Sequence, residues 1–311
     1  MSTLSQPLPS SGALALRVRD YAELFKARVT SLIVMTAWCG FYAAALKSGA
    51  SSLSWTLVHA LLGIGLASGG TAALNEVMEQ EADALMRRTQ HRPLPAKRMS
   101  RARGLVLALA GLLGGVVYLW LASNALTALL TLATSIFYLA VYTPLKKVHP
   151  ICTFVGAFPG AMPPLLGWVA LRGRVEWEAV ALFAIVFFWQ FPHFHSIAWL
   201  YREDYERASI RMLPVVERDG RSTARAVVVY SLLLLPVSLL PAWMGMAGAP
   251  YLVGAALLGG ALLWFGVRLA RLGQTPAEPA SKQRARHLLQ ATVFYLPLLF
   301  ALLMLDGLRL K

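Results

Sequence analysis

The chain has 311 residues, of which 57% are hydrophobic and only 14% are charged. Charged residues make up about a quarter of an ordinary soluble domain, so this composition excludes one and predicts an integral membrane protein in contact with the lipid bilayer. The net charge of +14 would suggest nucleic acid as a partner of a soluble chain. Here, however, the basic residues fall in short links between apolar segments, the pattern that orients membrane helices, so no nucleic-acid partner is expected.

The N-terminal part predicts a tail and an interfacial helix. The first 16 residues have no basic stretch before their apolar residues, so a cleaved signal peptide is not expected and a bacterial inner (plasma) membrane fits best. Residues 13–28 alternate apolar and charged positions, which is typical of a helix lying in the membrane interface. The chain is therefore divided into this N-terminal part, 1–28, and a membrane domain, 29–311.

Apolar stretches of about 20 residues, the length needed to cross a bilayer, recur along the membrane domain. They predict an all-α membrane protein with nine transmembrane helices. The predicted spans are 29–46, 55–74, 104–121, 124–143, 151–170, 177–197, 226–244, 248–267 and 288–305.

The Lys and Arg residues in the links predict the orientation of the spans. Of the 29 such residues, 24 lie in links on one side and 5 on the other. Since the basic side faces the cytoplasm, we expect a cytoplasmic N-terminus and a C-terminus outside.

The first informative link, residues 75–95, follows the second span. On a helix, Asn75, Glu79 and Asp83 recur at every fourth position and form one polar stripe. Carboxylate and amide oxygens at this spacing suit Mg²⁺, which commonly holds substrate phosphates. A solvated loop with ordinary helix charges is the alternative, because short motifs often occur by chance.

Basic residues continue this link. Arg87, Arg88 and Arg92 are predicted to clamp a diphosphate, since a guanidinium binds phosphate oxygens in pairs. Two other acids in the link, Glu76 and Glu81, are expected to point elsewhere.

A second acidic link, residues 189–222, follows the sixth span and suggests an internal duplication of a four-helix unit. If the helix continues, His193, Tyr201 and Tyr205 share one stripe with Asp204 beside it. His195 lies about 200° round from His193, so the two cannot face one site. For either histidine, the alternative is a satisfied residue at the membrane interface.

Prolines and glycines interrupt the fifth span at residues 156–164. Backbone groups freed by such residues must be satisfied by protein or by water in a cavity. A buried cavity beside this span is one interpretation, and loosely kinked packing is the plainer alternative.

Taken together, these residues resemble the intramembrane aromatic prenyltransferases, and within them the branch of protoheme IX farnesyltransferases (heme O synthases). The resemblance runs from about Tyr21 to Val216, and the later spans match only in hydropathy. In their second acidic link, quinone-type relatives usually carry a pair of aspartates four residues apart. Here Ala208 stands four residues after Asp204, which favours the heme branch. The matching motifs are Lys26-Ala27-Arg28-Val29, Asn75-x3-Glu79-x3-Asp83, Arg87-Arg88-Thr89, Arg92-Pro93-Leu94, Tyr142-Thr143-Pro144-Leu145-Lys146, Gly160-Ala161-x-Pro163-Pro164, Pro192-His193-Phe194, Tyr201-x2-Asp204-Tyr205 and Met212-Leu213-Pro214-Val215-Val216.

Three positions depart from the family pattern. Ala27 replaces a frequent proline, Cys152 stands where an asparagine is common, and Ser209 replaces a usual glycine. None of them removes a charged group, so they bear on local geometry more than on activity.

The resemblance implies nine helices around a central, lipid-open cavity capped by the two acidic links. It also implies that Mg²⁺, held by Asn75, Glu79, Asp83 and Asp204, helps the diphosphate of farnesyl diphosphate to leave. A vinyl group of heme B then attacks the allylic cation, and water completes a hydroxyethylfarnesyl side chain.

The resemblance further suggests roles for aromatic, basic and histidine side chains. Tyr201 and Tyr205 would offer electron-rich faces to the cation. If the helix of the sixth span continues through Tyr201, His193 would coordinate or orient the heme, while His195 would face away into packing. Heme A synthase or terminal oxidase assembly factors are expected downstream partners. The candidates for binding diphosphate or heme propionates are Lys26, Arg28, Arg87, Arg88, Arg92 and Lys146.

Two other functions remain as alternatives. Prenylation of a quinone precursor or another aromatic acceptor is the nearer one. A transporter or channel usually places ionisable groups near mid-membrane, whereas the interiors of these spans lack them apart from Glu178 near one end.

Overall fold

The computed structural model of the chain describes residues 10–271, 273 and 275–310. Over these residues the regular structure is helical throughout, as the composition predicts, and the first nine residues of the predicted tail lie outside them. The α-helices are α1 Ser10–Leu24, α2 Ala27–Ser48, α3 Trp55–Leu85, α4 Arg101–Ala122, α5 Ala125–Ile136, α6 Thr143–Leu145, α7 Cys152–Arg172, α8 Trp177–Leu200, α9 Arg202–Arg207, α10 Leu213–Val216, α11 Arg221–Trp243, α12 Ala249–Ala270 and α13 Pro279–Gly307.

In this described part of the chain, nine helical segments are long and apolar enough to cross a membrane, which confirms the predicted number. The fourth is composite: α5, a π-helix over Phe137–Tyr142 and α6 follow one another without a break. The largest differences from the predicted bounds are at α3, which extends to Leu85, and at α13, which begins at Pro279. Both helices continue into polar turns that a hydropathy window does not count.

Helix α1 precedes the first span, as the alternating pattern predicts. It exposes apolar side chains, with Leu16 43% and Val18 60% exposed, and it ends at the fully buried Leu24. Its position in the membrane interface stays a prediction, as does the orientation of the two termini.

Glycines let the helix backbones approach closely within the bundle. A Cβ on Gly70 of α3 would lie 2.1 Å from the backbone N of Leu112 in α4, and one on Gly40 of α2 would lie 1.8 Å from the backbone O of Pro164 in α7. Small residues at such crossings allow van der Waals packing between membrane helices. Through the contact between α2 and α7, the first group of helices, α2 through α5, packs against the second half of the chain.

The second half shares one large buried cluster that includes Trp168, Trp199, Tyr251 and Phe300. Helix α8 lies among α7, α11 and α13, and α13 also contacts α2. The prolines of α7, among them Pro159, lie inside a continuous helix, and Gln190 donates to the carbonyl of Ala157 at 3.0 Å.

The two acidic links meet at one end of the bundle, which we call the link face. It consists of the end of α3, residues 86–100 and residues 201–220, together with Lys26 before α2 and Lys146 after α6, which contact them. A small cluster that includes Ala82, Met86, Ala198 and Tyr205 packs the links together. The opposite end, with the turns at 49–54, 173–176 and 244–248 and the end of α13, is called the far face.

Candidate active site

Helix α3 carries the first acidic motif on its last three turns. It continues without a break to Leu85, so the spacing of four places Asn75, Glu79 and Asp83 on one side. The side chains of Asn75 and Asp83 are buried, with 1% and 2% of their residue surface exposed. This burial excludes the alternative that the motif lies in a solvated loop.

A lysine from each of two other segments reaches this stripe. Lys26 donates from Nζ to Asn75 Oδ1 at 2.9 Å, and Lys146 donates to both oxygens of Glu79 at 2.9 Å. Asn75 also donates to Glu79 Oε2 at 2.9 Å and to the Thr143 hydroxyl at 3.2 Å. Residues far apart in the chain therefore form one connected polar network.

The loop after α3 folds back on the motif. Arg92 donates to Asp83 Oδ2 at 2.6 Å, and the Thr89 hydroxyl donates to the Asp83 carbonyl at 2.8 Å, which satisfies an acceptor at the end of the helix. Leu94 is fully buried and anchors the loop, while Gln80 donates to its carbonyl at 3.2 Å. The loop thus holds Arg92 against the motif.

The π-helix before α6 positions Thr143 and Lys146. The Thr143 N–H donates to the Tyr138 carbonyl five residues back, and Pro144 then follows with no N–H to donate. Such single wide turns are frequent at functional sites. Lys146 also lies over the Tyr142 ring at 4.6 Å. Burial opposes its charge, but the Glu79 carboxylate, which accepts from Lys146 with both oxygens, raises the pKa of Lys146 above the usual value.

Lys26 occupies a strained turn between α1 and α2. Its φ of 45° lies in the left-handed region, which non-glycine residues rarely adopt. The family's proline at the next position would disfavour a helical conformation here in any case, and Ala27 relaxes that restriction. Burial, with Arg92 and Lys146 nearby, lowers the pKa of Lys26 to about 8.

The second link adds Asp204 to the first. Asp204 is 7% exposed, pairs with Arg207 and accepts from the Arg87 backbone N–H at 3.4 Å. Arg207 also donates to the Leu85 carbonyl at 3.3 Å, so the links contact each other through charged groups as well as apolar ones.

The turn after α9 explains the family's usual glycine. Ser209 has a φ of 54°, a left-handed conformation that glycine adopts without steric cost. The Arg211 N–H then donates to the Lys146 carbonyl at 2.8 Å, which ties the second link to the π-helix segment. At the third departure, Cys152, the side chain is fully buried at the start of α7.

The two predicted tyrosines already face a cation. The Arg88 guanidinium lies 4.8 Å from the Tyr205 ring centroid and 5.9 Å from that of Tyr201. Tyr205 is buried, whereas Tyr201 is 43% exposed. Both rings lie where a positive charge is stabilised, and in this structure the charge is that of Arg88.

The continuous helix assumed for the second link is wrong. Helix α8 ends at Leu200, and Tyr201 takes a non-helical conformation before α9 begins at Arg202. His193 therefore does not share a helical stripe with Tyr201 and Asp204. Its Nδ1 lies 2.9 Å from the Thr292 hydroxyl of α13, and its ring stacks on Trp189.

Pro192 lies inside α8 and does not interrupt the helix. His195 is 6% exposed and its Nδ1 lies 2.7 Å from the Phe191 carbonyl of its own helix. This is the satisfied, packed state that was the alternative for this residue.

Some predicted residues lie outside the polar network. Arg28 is exposed and contributes its backbone carbonyl to a bond from Ser31. The Arg87 side chain is also exposed, and His193 contacts α13 instead. The other predicted residues form four contact groups: Lys26, Asn75, Glu79 and Lys146; Asp83 with Arg92; Arg88 with Tyr201 and Tyr205; and Asp204 with the Arg87 backbone.

Glu76 was expected to point away, and this expectation is wrong. It is fully buried, its carboxylate oxygens make no hydrogen bond of good geometry, and Arg92, Lys26, Asp83 and the Leu94 backbone N–H act on it electrostatically. At 100° per residue, Glu76 precedes Asp83 by seven positions and lies within about 20° of it. The spacing of seven residues between Glu76 and Asp83 could therefore have shown, from the sequence alone, that both side chains lie on one side of α3.

The donor set fits Mg²⁺ chemically. An amide oxygen and three carboxylates, from Asn75, Glu79, Asp83 and Asp204, are ligands of the kind that Mg²⁺ prefers. Each now bonds to a cation of the protein. In the part of the chain that the structure describes, no three His, Cys, Asp or Glu residues stand close enough to hold a metal ion. Metal binding would therefore exchange these protein partners.

Comparison with known proteins identifies the family. The model of the UbiA prenyltransferase family matches residues 33–289. A protein named protoheme IX farnesyltransferase from Koribacter versatilis is 61% identical over 308 residues, which cover 98% of this chain and 99% of that protein.

Solved structures agree on the fold. A structure reported for digeranylgeranylglyceryl phosphate synthase has a TM-score of 0.74 at 15% identity and covers 94% of this chain and 99% of its own. A UbiA homologue from Archaeoglobus fulgidus, bound to GPP and Mg²⁺, has a TM-score of 0.59 at 14% identity and covers 91% and 99%. The chain belongs to the UbiA prenyltransferase family and is a multi-pass membrane prenyltransferase.

Proposed function

We propose that this member of the UbiA prenyltransferase family transfers the farnesyl group of farnesyl diphosphate to a vinyl group of heme B, with release of diphosphate. The protein of Koribacter versatilis, which matches almost its whole length, carries the name of that activity. The observation that carries the proposal is the polar network of the link face, where Lys26, Arg92 and Lys146 stand among buried acids.

The charge balance of this network suits a diphosphate only together with added positive charge. Two of its three cations already pair with carboxylates, Lys146 with Glu79 and Arg92 with Asp83. A diphosphate would add uncompensated negative charge to a region that is shielded from water, which is costly. A bound divalent cation offsets it.

The proposed cofactor is Mg²⁺, held by Asn75, Glu79, Asp83 and Asp204. When bound, it neutralises the leaving diphosphate, which is a Lewis-acid and electrostatic contribution. As these four groups turn from their protein partners, Lys26, Lys146 and Arg92 become free to donate to the diphosphate oxygens. This exchange agrees with the Mg²⁺ named for the Archaeoglobus fulgidus structure.

The organic step is balanced by water. The bond from the farnesyl C1 carbon to the diphosphate oxygen breaks, and the terminal vinyl carbon of heme forms a new bond to C1. Water then adds to the other vinyl carbon and loses one proton, which gives a hydroxyethylfarnesyl side chain. The faces of Tyr201 and Tyr205 would stabilise the allylic cation once Arg88 leaves them for the diphosphate.

The test is farnesyl transfer by the purified protein in lipid vesicles. Labelled farnesyl diphosphate is supplied with heme B or with an aromatic acid as acceptor, with and without Mg²⁺. We expect labelled product from heme B only, and only with Mg²⁺. Label in the aromatic acid instead would establish the quinone-type alternative and overturn the proposal.

The proposed location is a bacterial inner membrane, with both acidic links on the cytoplasmic side. A reporter fused after Lys311 should then lie outside, and one inserted in the 75–103 link should lie inside. A cytoplasmic C-terminus would contradict this orientation. Heme A synthase or terminal oxidase assembly factors are the proposed recipients of the product, which co-purification from native membranes would test.

A further inference from the structure

Two side-chain hydroxyls of α13 form hydrogen bonds with side chains of α8. Near the link face, Trp199 donates from Nε1 to the Ser281 hydroxyl at 2.7 Å. Deeper in the bundle, His193 Nδ1 lies 2.9 Å from the Thr292 hydroxyl. Ser281 and Thr292 lie on the same buried side of α13 and are both fully buried. The two contacts are therefore alike in setting, but only one involves a group that can bind a metal.

The hydrogen bonds of Thr292 determine the proton position on His193. The Thr292 hydroxyl lies 2.6 Å from the Leu289 carbonyl, which can only accept, so the single hydroxyl proton is donated there. Toward His193 the same oxygen must accept, and Nδ1 must carry the proton. In neutral His193, Nε2 is then left with its lone pair.

A second contact fixes the plane of the ring. Trp189 stacks on His193 with the ring centroids 4.7 Å apart and 19° between the planes. Its Nε1 donates to the backbone carbonyl of Thr292 at 2.8 Å, so one residue of α13 anchors both aromatic side chains. In the described part of the chain, Nε2 of His193 has no hydrogen-bond partner and is not among the fully enclosed atoms.

His195 lacks such an arrangement. Its Nδ1 bonds to a carbonyl of its own helix, and its side chain is almost fully buried. His193 is half-buried and lies seven residues before the end of α8, about 10 Å below the link face at 1.5 Å per residue. Of the two histidines, His193 alone combines an accessible Nε2 with an anchor on a second helix.

We infer that Thr292 is a positioning residue for the heme acceptor: it holds His193 with the proton on Nδ1 and presents Nε2 to the heme iron beside the α8–α13 interface. A histidine that ligates a metal usually donates its other N–H to a fixed acceptor, which sets its tautomer and orientation. This inference rests on the proposed function, because heme is its substrate there. It assigns a role to a span that shows no motif in the sequence.

The experiment is a heme titration of the purified protein, followed by absorbance, in the absence of farnesyl diphosphate. Thr292→Val keeps the shape but removes the acceptor, whereas Thr292→Ser keeps the hydroxyl. Ser281→Ala is the matched control, because it removes the hydrogen bond between Trp199 and Ser281 across the same interface and leaves His193 unchanged. His193→Ala identifies the spectrum that depends on the ligand.

We expect Thr292→Val to weaken heme binding roughly 10- to 100-fold, the usual effect of losing such a partner of a ligating histidine, and to lose the histidine-ligated spectrum. Thr292→Ser and Ser281→Ala should bind heme like the unaltered protein, and binding of farnesyl diphosphate should be the same in all four. Equal heme affinity for Thr292→Val and Ser281→Ala, or a spectrum unaffected by His193→Ala, would overturn the inference.

The titration also separates this inference from the proposed function. Heme binding that depends on His193 and Thr292, in a protein that transfers no farnesyl group, would refute the transfer reaction and support the positioning role. Transfer to heme with a spectrum that neither residue affects would support the transfer reaction and refute the positioning role.

Discussion

The link face and the far face both bury charged groups, but they satisfy them differently. At the far face, Asp306 accepts from the backbone N–H groups of Gly248 and Tyr251 at 2.7 and 3.1 Å and so caps α12. Glu176 accepts from Trp168 and Arg172, each at 2.9 Å. The bond from Arg172 is the main cause that lowers the pKa of Glu176 to about 2. These acids accept hydrogen bonds from donors at helix ends and in turns.

At the link face the charges bond to one another across separate segments, and the backbone carries strain. Lys26 and Ser209 have left-handed conformations, and the Glu76 carboxylate makes no hydrogen bond of good geometry. Strained backbone and unsatisfied polar groups persist where the surrounding structure holds them for a function. Acids of the far face therefore serve the fold, whereas the pairs of the link face are the ones that we propose to exchange a protein partner for a ligand.

The largest expected effect is on catalysis at the link face. Asp83→Asn should lower kcat/KM for farnesyl diphosphate at least about 100-fold, the size seen when one charge-stabilising group is removed, because a neutral amide is a poor Mg²⁺ ligand. Thermal unfolding in detergent should change little. Turnover near the normal rate at ordinary Mg²⁺ would remove Asp83 from the metal site.

The matched change at the far face should act in the opposite way. Asp306→Ala leaves two N–H groups of α12 without an acceptor and should destabilise the protein by about 1–2 kcal/mol, as for the loss of a helix cap. Activity per folded molecule should be retained. A loss of activity without a lower unfolding temperature would mean that Asp306 acts in catalysis and not in stability, and the two faces would then not differ as described.

The pH dependence of kcat/KM should show whether Lys26 binds the diphosphate. Because its pKa is lowered to about 8, kcat/KM for farnesyl diphosphate should fall about tenfold per pH unit above that value, as the ammonium that binds the diphosphate is lost. Lys26→Arg should keep its activity to higher pH. An identical pH profile in the two proteins would mean that Lys26 does not bind the diphosphate.

The same shift has a consequence for stability with a defined sign. The folded-state pKa of Lys26 lies below the usual lysine value of 10.5, so the unfolded chain binds more protons between about pH 8 and 10.5. The contribution of Lys26 to stability therefore increases with pH across that window, while substrate binding weakens. Opposite trends would distinguish a ligand-binding lysine from a structural one.

A smaller effect is expected at Glu76. Glu76→Gln keeps the shape and removes a buried carboxyl group whose ionised form is poorly satisfied, so it should stabilise the protein by about 1 kcal/mol. It should also tighten diphosphate binding, since no carboxylate can then form beside Lys26 and Arg92. A lower unfolding temperature would show that Glu76 has a stabilising partner.

The smallest effect concerns Ser209. Ser209→Gly should relieve its left-handed strain and stabilise the protein by up to about 1 kcal/mol. As a control, Ser31→Gly within helix α2 should destabilise it by a similar amount. If both changes destabilise, the turn at Ser209 is not strained.

Much of the fold could be predicted because membrane spans follow from composition and length. Nine spans and the helical stripe of Asn75, Glu79 and Asp83 needed only hydropathy and a period of 3.6 residues. The extension of α3 to Leu85 was not predicted, since its last turns are too polar for a hydropathy window. The break at Tyr201 was missed because no proline or glycine marks it.

Contacts between separate segments could not be predicted from local patterns. The pairs Lys26–Asn75 and Lys146–Glu79 depend on how α2, α3 and the π-helix pack, and the Thr292–His193 contact depends on the packing of α13 against α8. Each residue alone looks ordinary in the sequence. Glu76 differs, because its spacing of seven from Asp83 was readable.

The central claim, that the charge pairs of the link face exchange for a metal and a diphosphate, is tested most directly by equilibrium binding. Farnesyl diphosphate is titrated into the purified protein without heme, with and without Mg²⁺. We expect at least about tenfold tighter binding with Mg²⁺, and no such difference in Asp83→Asn. Equally tight binding without Mg²⁺ in the unaltered protein would contradict it.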